Sequence, residues 1–451
     1  MVQNEIFKGN WRLPGSAHNC SGTLTYDPIE GAHLELHGAF AGTLPYSKTE
    51  IVHGQTLDGA ITLLNVNWRN STSSQPSGTA VTTYTVVYIF VGHLFDSIEE
   101  IRFREVSFTL FNLLEWVNAT AVDQQSDQEH YKLDYNKPSP IPLACYDGCS
   151  GRIEFALSHS ANFGLFDVTI KQRATIKLSY GEAKPYREII EDSLTFQGLL
   201  TLCTYEQSYP LEIRLQDDAL QETIGSGIRR RTIPRTIRLI YRSPFVNPAH
   251  KSRPFYQHLV KYEPIASSFQ SILPKWFSVS KELEQSLDLL LRSFANKYDF
   301  TIEKFMDIAK AIELFHRQRF PNGILPNEEF KKRKKRFLLD DLTPEEKQWI
   351  QKIMEHGNEP TLFQRLQTLL DTYAFPYFDK RVPDREVCCR QAKDNRNYYT
   401  HYNKRLKKVA LNGKELFDLT ENLKLILLTA ILNSIGIETA VFEESIQRLI
   451  Y

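Results

Sequence analysis

The run RNYYTH at positions 396–401 holds the side chains best suited to chemistry in this 451-residue chain. Arg396 carries a guanidinium that stays charged at physiological pH and can grip a phosphate through two hydrogen bonds. His401 carries an imidazole that can donate or accept a proton near neutral pH. Metal-independent cleavage of RNA needs these two groups, one to move a proton and the other to stabilise charge that builds on the phosphorus centre.

The spacing within the run predicts how these groups would be arranged on a helix. Asn397 and His401 are four residues apart and share a face, so Asn397 could orient the imidazole or hold a phosphate oxygen. Arg396 lies about 140° around the helix from His401. A working pocket therefore needs groups from a second helix or a second subunit. On spacing alone, a solvated or merely RNA-binding helix face fits as well, and only the context favours chemistry.

The first 245 residues have the texture of β-strands. Short β-branched and aromatic runs alternate with Gly, Pro, Asn, Asp and Ser, and the segment 22–40 predicts a hairpin with its turn at 27–31. Helical spacing of apolar residues at 187–203 predicts one helix that packs on the sheet. We therefore expect a β-rich, sandwich-like N-terminal domain with a packed helix over residues 1–245.

Residues 246–274 have scattered prolines and weak periodicity, and we interpret them as a connecting segment. From residue 275 to 451 the pattern becomes helical, which predicts an all-α domain and an α+β fold class for the chain. Thr343 followed by Pro344 predicts a helix start. Further helices are predicted over 361–374, 384–408 and 419–433.

Composition narrows the class of protein. Hydrophobic residues make up 42% of the chain and aromatics 12%, enough for packed cores. The net charge is zero, but from Lys275 onward 30 Lys and Arg face 26 Asp and Glu, so a polyanion partner fits this part better. We expect reduced cysteines, no metal and no cofactor. Without a membrane-spanning run or signal peptide, we expect a cytoplasmic protein with no membrane contact.

The helical context and the basic residues that trail RNYYTH resemble the HEPN superfamily, whose signature is an Arg, a polar residue and a His a few positions later. More narrowly, GNW at 9–11, GTL at 22–24 and LEL at 34–36 resemble the N-terminal domain of the ApeA family of bacterial anti-phage abortive-infection proteins. This resemblance implies a homodimeric HEPN ribonuclease that cuts cellular RNA, with tRNA as one candidate, and leaves a 2′,3′-cyclic phosphate. The β-rich domain would then restrain the nuclease or sense a phage-derived trigger.

Other residues are weaker candidates for the same site. Glu313 lies in a segment that resembles the family helix carrying an acidic residue into the cleft, although a surface ion pair fits equally well. Tyr398 and Tyr402 could stack on bases, although packed interface tyrosines are commoner. The cations of KKRKKR could contact phosphates or form a solvated connection. The candidate RNA-binding cations are Lys331, Lys332, Arg333, Lys334, Lys335, Arg336, Lys404 and Arg405.

Two alternatives remain open. The helical domain could be a catalytically inactive HEPN module that binds nucleotides, RNA or a partner protein, with recognition in the β-rich domain. The N-terminal sheet could instead bind carbohydrate through Trp11 and Trp68, although tryptophans in a sheet are more often buried. In either case, His316 and Arg317, beside Glu313, could touch RNA, although a solvated helix face is the commoner arrangement for such residues.

Overall fold

A computed structural model describes residues 3–40, 48–74, 79–120, 122–127, 130–161, 168–224, 230–243, 246, 251–295, 301–321, 323–338 and 342–449. The chain divides into two compact units, Met1–Pro274 and Lys275–Tyr451. Strands dominate the first unit and helices make up the second. The predicted fold class, a β-rich domain followed by a helical domain, is confirmed.

The first unit contains fourteen strands and three whole helices among its described residues. The strands are β1 Glu5–Arg12, β2 Cys20–Asp27, β3 Gly31–His37, β4 Lys48–Thr56, β5 Gly59–Ser74, β6 Thr79–Val91, β7 Arg102–Leu110, β8 Val122–Ser126, β9 Tyr131–Tyr135, β10 Ile141–Tyr146, β11 Cys149–Ala161, β12 Val168–Pro185, β13 Pro210–Ile224 and β14 Arg231–Tyr241. The helices are α1 Leu113–Val117, α2 Tyr186–Thr204 and α3 Tyr262–Ile265, with a 3-10 turn at Phe255–Gln257.

Six strands close into a barrel in the order β6-β3-β2-β1-β4-β5, because β5 also pairs with β6. The C-terminal end of β6 pairs with β14, and from there an open sheet continues as β13-β7-β12-β11-β10. The pairings are antiparallel. This closed barrel with an open extension replaces the sandwich-like arrangement. Alternation along a strand predicts one buried face but not which strands meet, so the sequence could not distinguish the two. The predicted hairpin at 22–40 is confirmed as β2 and β3.

Trp11 belongs to the barrel core. Its side chain is fully buried, and a Cβ placed on Gly54 would lie only 2.3 Å from the indole ring. Gly54 therefore makes room for the tryptophan. Trp68 is half-buried and packs against the same core. These positions disfavour a carbohydrate site built on the two tryptophans.

Helix α2 covers the open sheet where the sequence predicted a helix. It begins after Pro185, which cannot continue a ladder, and ends at Tyr205 in the left-handed conformation (φ 54°). The Phe196 ring lies 5.7 Å from that of Phe108 on β7. Ile189 and other apolar residues of this face are buried.

Residues 251–274, within the stretch expected to connect the domains, pack into the first unit. Val260 is fully buried, its N–H donates to the Cys203 carbonyl at 2.8 Å, and its carbonyl accepts from Trp116 Nε1 at 2.8 Å. Prolines and weak periodicity conceal this packing, because the contacts are made to residues far away in sequence.

The second unit is built from helices. They are α4 Phe269–Glu282, which begins in the first unit, α5 Glu284–Arg292, α6 Ile302–Arg319, α7 Asn327–Phe337, α8 Pro344–Ile353, α9 Leu362–Tyr373, α10 Pro376–Arg381, α11 Arg385–His401, α12 Gly413–Ser434 and α13 Glu443–Leu449, with a 3-10 turn at Thr439–Val441. Helices α6, α9, α11 and α12 pack against one another. The stretch Leu425–Leu432 of α12 is buried on all sides, which makes α12 the central helix.

Helix α11 is shorter than predicted, and α12 (Gly413–Ser434) begins six residues before its predicted range of 419–433. The predicted helix 384–408 ends at His401, because Tyr402 adopts the left-handed conformation (φ 48°). Lys404 and Arg405 therefore lie in the connection that leads to α12. The cation run 331–336, considered as a flexible connection, lies in α7. The predicted start at Thr343 is confirmed, with a full capping box to Glu346.

Candidate functional site

Helix α11 carries the RNYYTH run on its last two turns. The helix begins at the N-cap Asp384, whose carboxylate accepts from the Val387 N–H at 2.9 Å. Its buried face consists of Cys388, Cys389, Ala392 and Asn395. Because this face is fixed by packing, the residue that follows Asn395 is held at the edge of the buried surface.

Arg396 is that residue, and it is paired. Its Nη2 lies 3.3 Å from Glu313 Oε1 and 3.4 Å from Oε2, with side chains 35% and 21% exposed. Glu313 comes from α6, so the contact joins two packed helices. The structure thus places Glu313 at the guanidinium. The surrounding half-burial strengthens the ion pair relative to one in open solvent, while part of the guanidinium remains accessible to a ligand.

Asn397 contacts the same arginine rather than the histidine. Its Oδ1 accepts a hydrogen bond of 3.4 Å from Arg396 Nη1. Across the described residues, no hydrogen bond joins Asn397 to His401, so the expected orienting contact is not made in this conformation. Glu313 and Asn397 together hold the guanidinium from two sides.

His401 is the last residue of α11, and its side chain is exposed. An exposed ring can reach a bound strand without moving a packed element. Arg396 is therefore fixed by side-chain contacts, whereas the His401 side chain is exposed to solvent.

The three tyrosines near the run have different surroundings. The ring of Tyr398 lies 5.0 Å from that of Tyr399 and 5.7 Å from that of Tyr402. Tyr399 packs edge-on to Phe305 at 6.4 Å, whereas Tyr402 is 66% exposed. Tyr402 has the free face that base stacking needs.

Asn395 and Leu411 were not identified from the sequence, yet they position the end of the site. Asn395 is fully buried, and its Oδ1 accepts from the Leu411 N–H at 2.7 Å while Nδ2 donates to the Gln391 carbonyl at 2.8 Å. The Tyr399 hydroxyl donates to the Leu411 carbonyl. These bonds tie residues 402–412, with Lys404 and Arg405, to α11. The only signal in the sequence was a polar residue on the apolar stripe.

Glu313 also faces a buried charged group. Arg365 on α9 is only 2% exposed, donates from Nε to the Pro360 carbonyl at 2.9 Å, and donates from Nη1 to His316 Nδ1 at 3.0 Å. Burial and the Arg365 charge lower the pKa of His316 to about 4. His316 is buried, so the solvated-face interpretation was wrong for it. Its exposed neighbour Arg317 pairs with Glu359 at 3.0 Å.

The cations of α7 are exposed, except for Lys334, which is half-buried. Lys331 pairs with Glu328 at 2.8 Å and Arg333 with Glu329 at 2.6 Å within the helix. Within the described ranges, the remaining four have no ion-pair partner, and no side chain of α7 is buried. These four are Lys332, Lys334, Lys335 and Arg336.

Three wider features complete the description. The six cysteines are buried and unpaired with one another by disulfides. In the part of the chain that is described, no cluster of three or more His, Cys, Asp or Glu could hold a metal ion. Among the described helices, none is long and apolar enough to span a bilayer.

Two protein-family models match the chain. The family model described as ApeA N-terminal domain 1 matches residues 6–276, which is more than half of the chain. The family model described as Apea-like HEPN matches residues 306–441, which contain both Glu313 and RNYYTH. No curated protein and no solved structure matches the chain.

Proposed function

Because this chain belongs to the ApeA family and carries that family's HEPN domain, we propose that it is a metal-independent endoribonuclease of bacterial anti-phage defence. The observation that carries the proposal is the pairing of Arg396 with Glu313 beside an exposed His401 at the end of the same helix. A guanidinium held half-exposed is ready for a phosphate, and an open imidazole is ready for a proton.

The reaction starts from the 2′-hydroxyl of the substrate. A neutral His401 accepts its proton, and the oxygen attacks the adjacent phosphorus. The bond to the 5′-oxygen breaks, the leaving oxygen gains a proton from an imidazolium, and a 2′,3′-cyclic phosphate and a 5′-hydroxyl remain. Arg396 stabilises the charge that develops on the non-bridging oxygens. Glu313 and Asn397 act as positioning residues for Arg396.

A homodimer supplies the second set of groups. One α11 presents Arg396 and His401 about 140° apart, so a single helix does not direct both at one phosphate. Two helices facing each other across a symmetric interface would place an arginine and a histidine from different subunits on one scissile bond. HEPN domains typically dimerise and act on RNA, which fits this arrangement.

The remaining parts have roles that follow from their chemistry. Tyr402 stacks on a base, and Lys404 and Arg405 contact phosphates next to the cut. The cellular targets are RNAs needed for translation, with tRNA the first candidate. The β-rich unit senses a phage-derived trigger and restrains the nuclease in the cytoplasm of an uninfected cell.

Cleavage of total bacterial RNA in the presence of EDTA tests the proposal. The expected result is fragments with cyclic phosphate and 5′-hydroxyl ends, lost in His401→Ala and retained in His130→Ala, which removes an exposed histidine of the first unit. Cleavage that EDTA abolishes would contradict the mechanism. RNA binding without cutting, with infected-cell extract supplied, would favour the inactive binding module instead.

A further inference from the structure

Helices α7 and α8 follow each other in the chain, and their described residues are all exposed or half-buried. Neither helix has a buried side chain. Asn358 nevertheless joins the segments that flank the pair. Its side-chain Oδ1 accepts from the Leu325 N–H at 2.9 Å, and its Nδ2 donates to the Leu325 carbonyl at 2.9 Å. Its backbone carbonyl accepts from the Ile324 N–H at 2.8 Å. The pair is thus held in place without a fully buried side chain of its own.

The two helices are short and are separated by a short connection. Asn358 joins the segment before α7 to the segment after α8, and only residues 338–343 separate the end of α7 from the start of α8. At 1.5 Å per residue, the helices are about 16 and 15 Å long.

The surface of the pair combines cations with exposed aromatic rings. Lys332, Lys335 and Arg336 follow the spacing i, i+3, i+4 and share one face of α7. In the described ranges they have no ion-pair partner, whereas the neighbouring cations at 331 and 333 are paired. On α8, Trp349 is 65% exposed, and Phe337 at the end of α7 is 61% exposed.

Resting on the proposed function, we infer that the α7–α8 pair is a capture arm for single-stranded RNA, in which Trp349 stacks on an unpaired base and the Lys332, Lys335 and Arg336 face binds the backbone. Charge complementarity selects this occupant, since partner-free cations on α7 and an open indole on α8 match a chain of phosphates with accessible bases. A duplex would satisfy the cations but would leave the indole unused, because its bases are already stacked.

Binding of a fluorescein-labelled 20-nucleotide oligouridylate to full-length protein tests the arm. The parent is the His401→Ala protein, so that the probe stays intact. Trp349→Ala is expected to weaken binding about tenfold, and Trp349→Phe to restore most of it. Replacing Lys332, Lys335 and Arg336 by Gln is expected to lower the slope of log Kd against log salt by about 2. The triple Gln variant at Lys8, Lys48 and Lys251, exposed cations of the first unit, should bind as the parent does.

Other outcomes would overturn the inference. Equal binding of the single strand by the parent, Trp349→Ala and the α7 triple variant would do so. A Trp349→Ala protein that changes its oligomeric mass without a change in RNA affinity would show that a second copy occupies the surface. Absence of cutting by the wild-type chain, together with binding that depends on the arm, would refute only the proposed nuclease. Because neither helix has buried side chains, each variant should keep the parent's circular dichroism spectrum.

Discussion

The two basic segments of the helical unit are built in opposite ways. Helix α11 is fixed along one face by buried residues, and its guanidinium at 396 is held by Glu313 and Asn397. The α7–α8 pair has no buried side chain, and most of its cations are partner-free within the described residues. Chemistry needs groups held in place, whereas capture of a flexible strand needs groups that can adapt. On the two proposals above, α11 carries the groups that cut RNA and the α7–α8 pair carries the groups that bind it.

The largest expected effect is the loss of cleavage when Arg396 is replaced. Arg396→Ala should lower RNA cleavage about a thousandfold, because stabilisation of the transition-state charge is lost, while affinity for oligouridylate changes little. The variant with Gln at Lys332, Lys335 and Arg336 should show the opposite pattern. Its affinity for oligouridylate should be weak at high salt, while its cleavage rate at saturating RNA should stay near normal. Single-turnover cleavage and anisotropy binding measure the two. Equal losses of both in either variant would remove the distinction between the segments.

Acid should destabilise the packed helices around His316 before it affects the exposed α7–α8 pair. The pKa of His316 is lowered to about 4 from 6.5, so the unfolded chain binds more protons between these pH values. Stability is therefore present above pH 6.5 and is lost as the pH falls towards 4, by up to about 3 kcal/mol. Urea unfolding of the wild type and His316→Gln at pH 7.5 and 5 should show a smaller pH effect in the variant.

The control for this pH effect lies in the other unit. Burial also lowers the pKa of His258 to about 4, so this histidine should destabilise the first unit in the same pH window. His258→Gln should relieve acid loss in the first unit and leave the second unchanged. If His316→Gln leaves the pH dependence of the helical unit unaltered, the buried pairing with Arg365 does not govern it.

Removal of Asn395 should loosen the end of α11. Asn395→Ala leaves the Leu411 N–H without its buried acceptor, which should cost about 2 kcal/mol in the free energy of unfolding. Cleavage should fall as well, because residues 402–412 lose their tie to the helix. Denaturant unfolding checks the first effect. Asn327→Ala, at the exposed start of α7, is the matched control and should be neutral.

The smallest expected effect concerns the exposed pair. Thr343→Ala removes the capping box of α8 and should cost about 1 kcal/mol of local helix stability. Amide hydrogen exchange should quicken in α8, while the global Tm stays the same because α8 contributes no buried side chain. A fall in global Tm would mean that the α7–α8 pair is part of the folded core and would weaken the contrast with α11.

Local signals in the sequence predicted several elements well. Helix α2 matches its predicted range within one residue at each end, and the hairpin of β2 and β3 follows from its alternation and its turn. The end of α11 was missed, because nothing in the residues after His401 breaks a helix. Tyr402 turns left-handed there, and the loop is then secured by bonds from Asn395 and Tyr399.

By itself, the sequence determined the order of a β-rich and a helical unit and the residue types at 396–401, because periodicity and side-chain chemistry are local properties. Only the tertiary structure decided that β1 pairs with β4 and β3 with β6 in a closed barrel, that Glu313 rather than a solvent ion meets Arg396, and that His316 is buried against Arg365. These outcomes depend on contacts between residues tens of positions apart, and such contacts form only when packed faces set which elements meet.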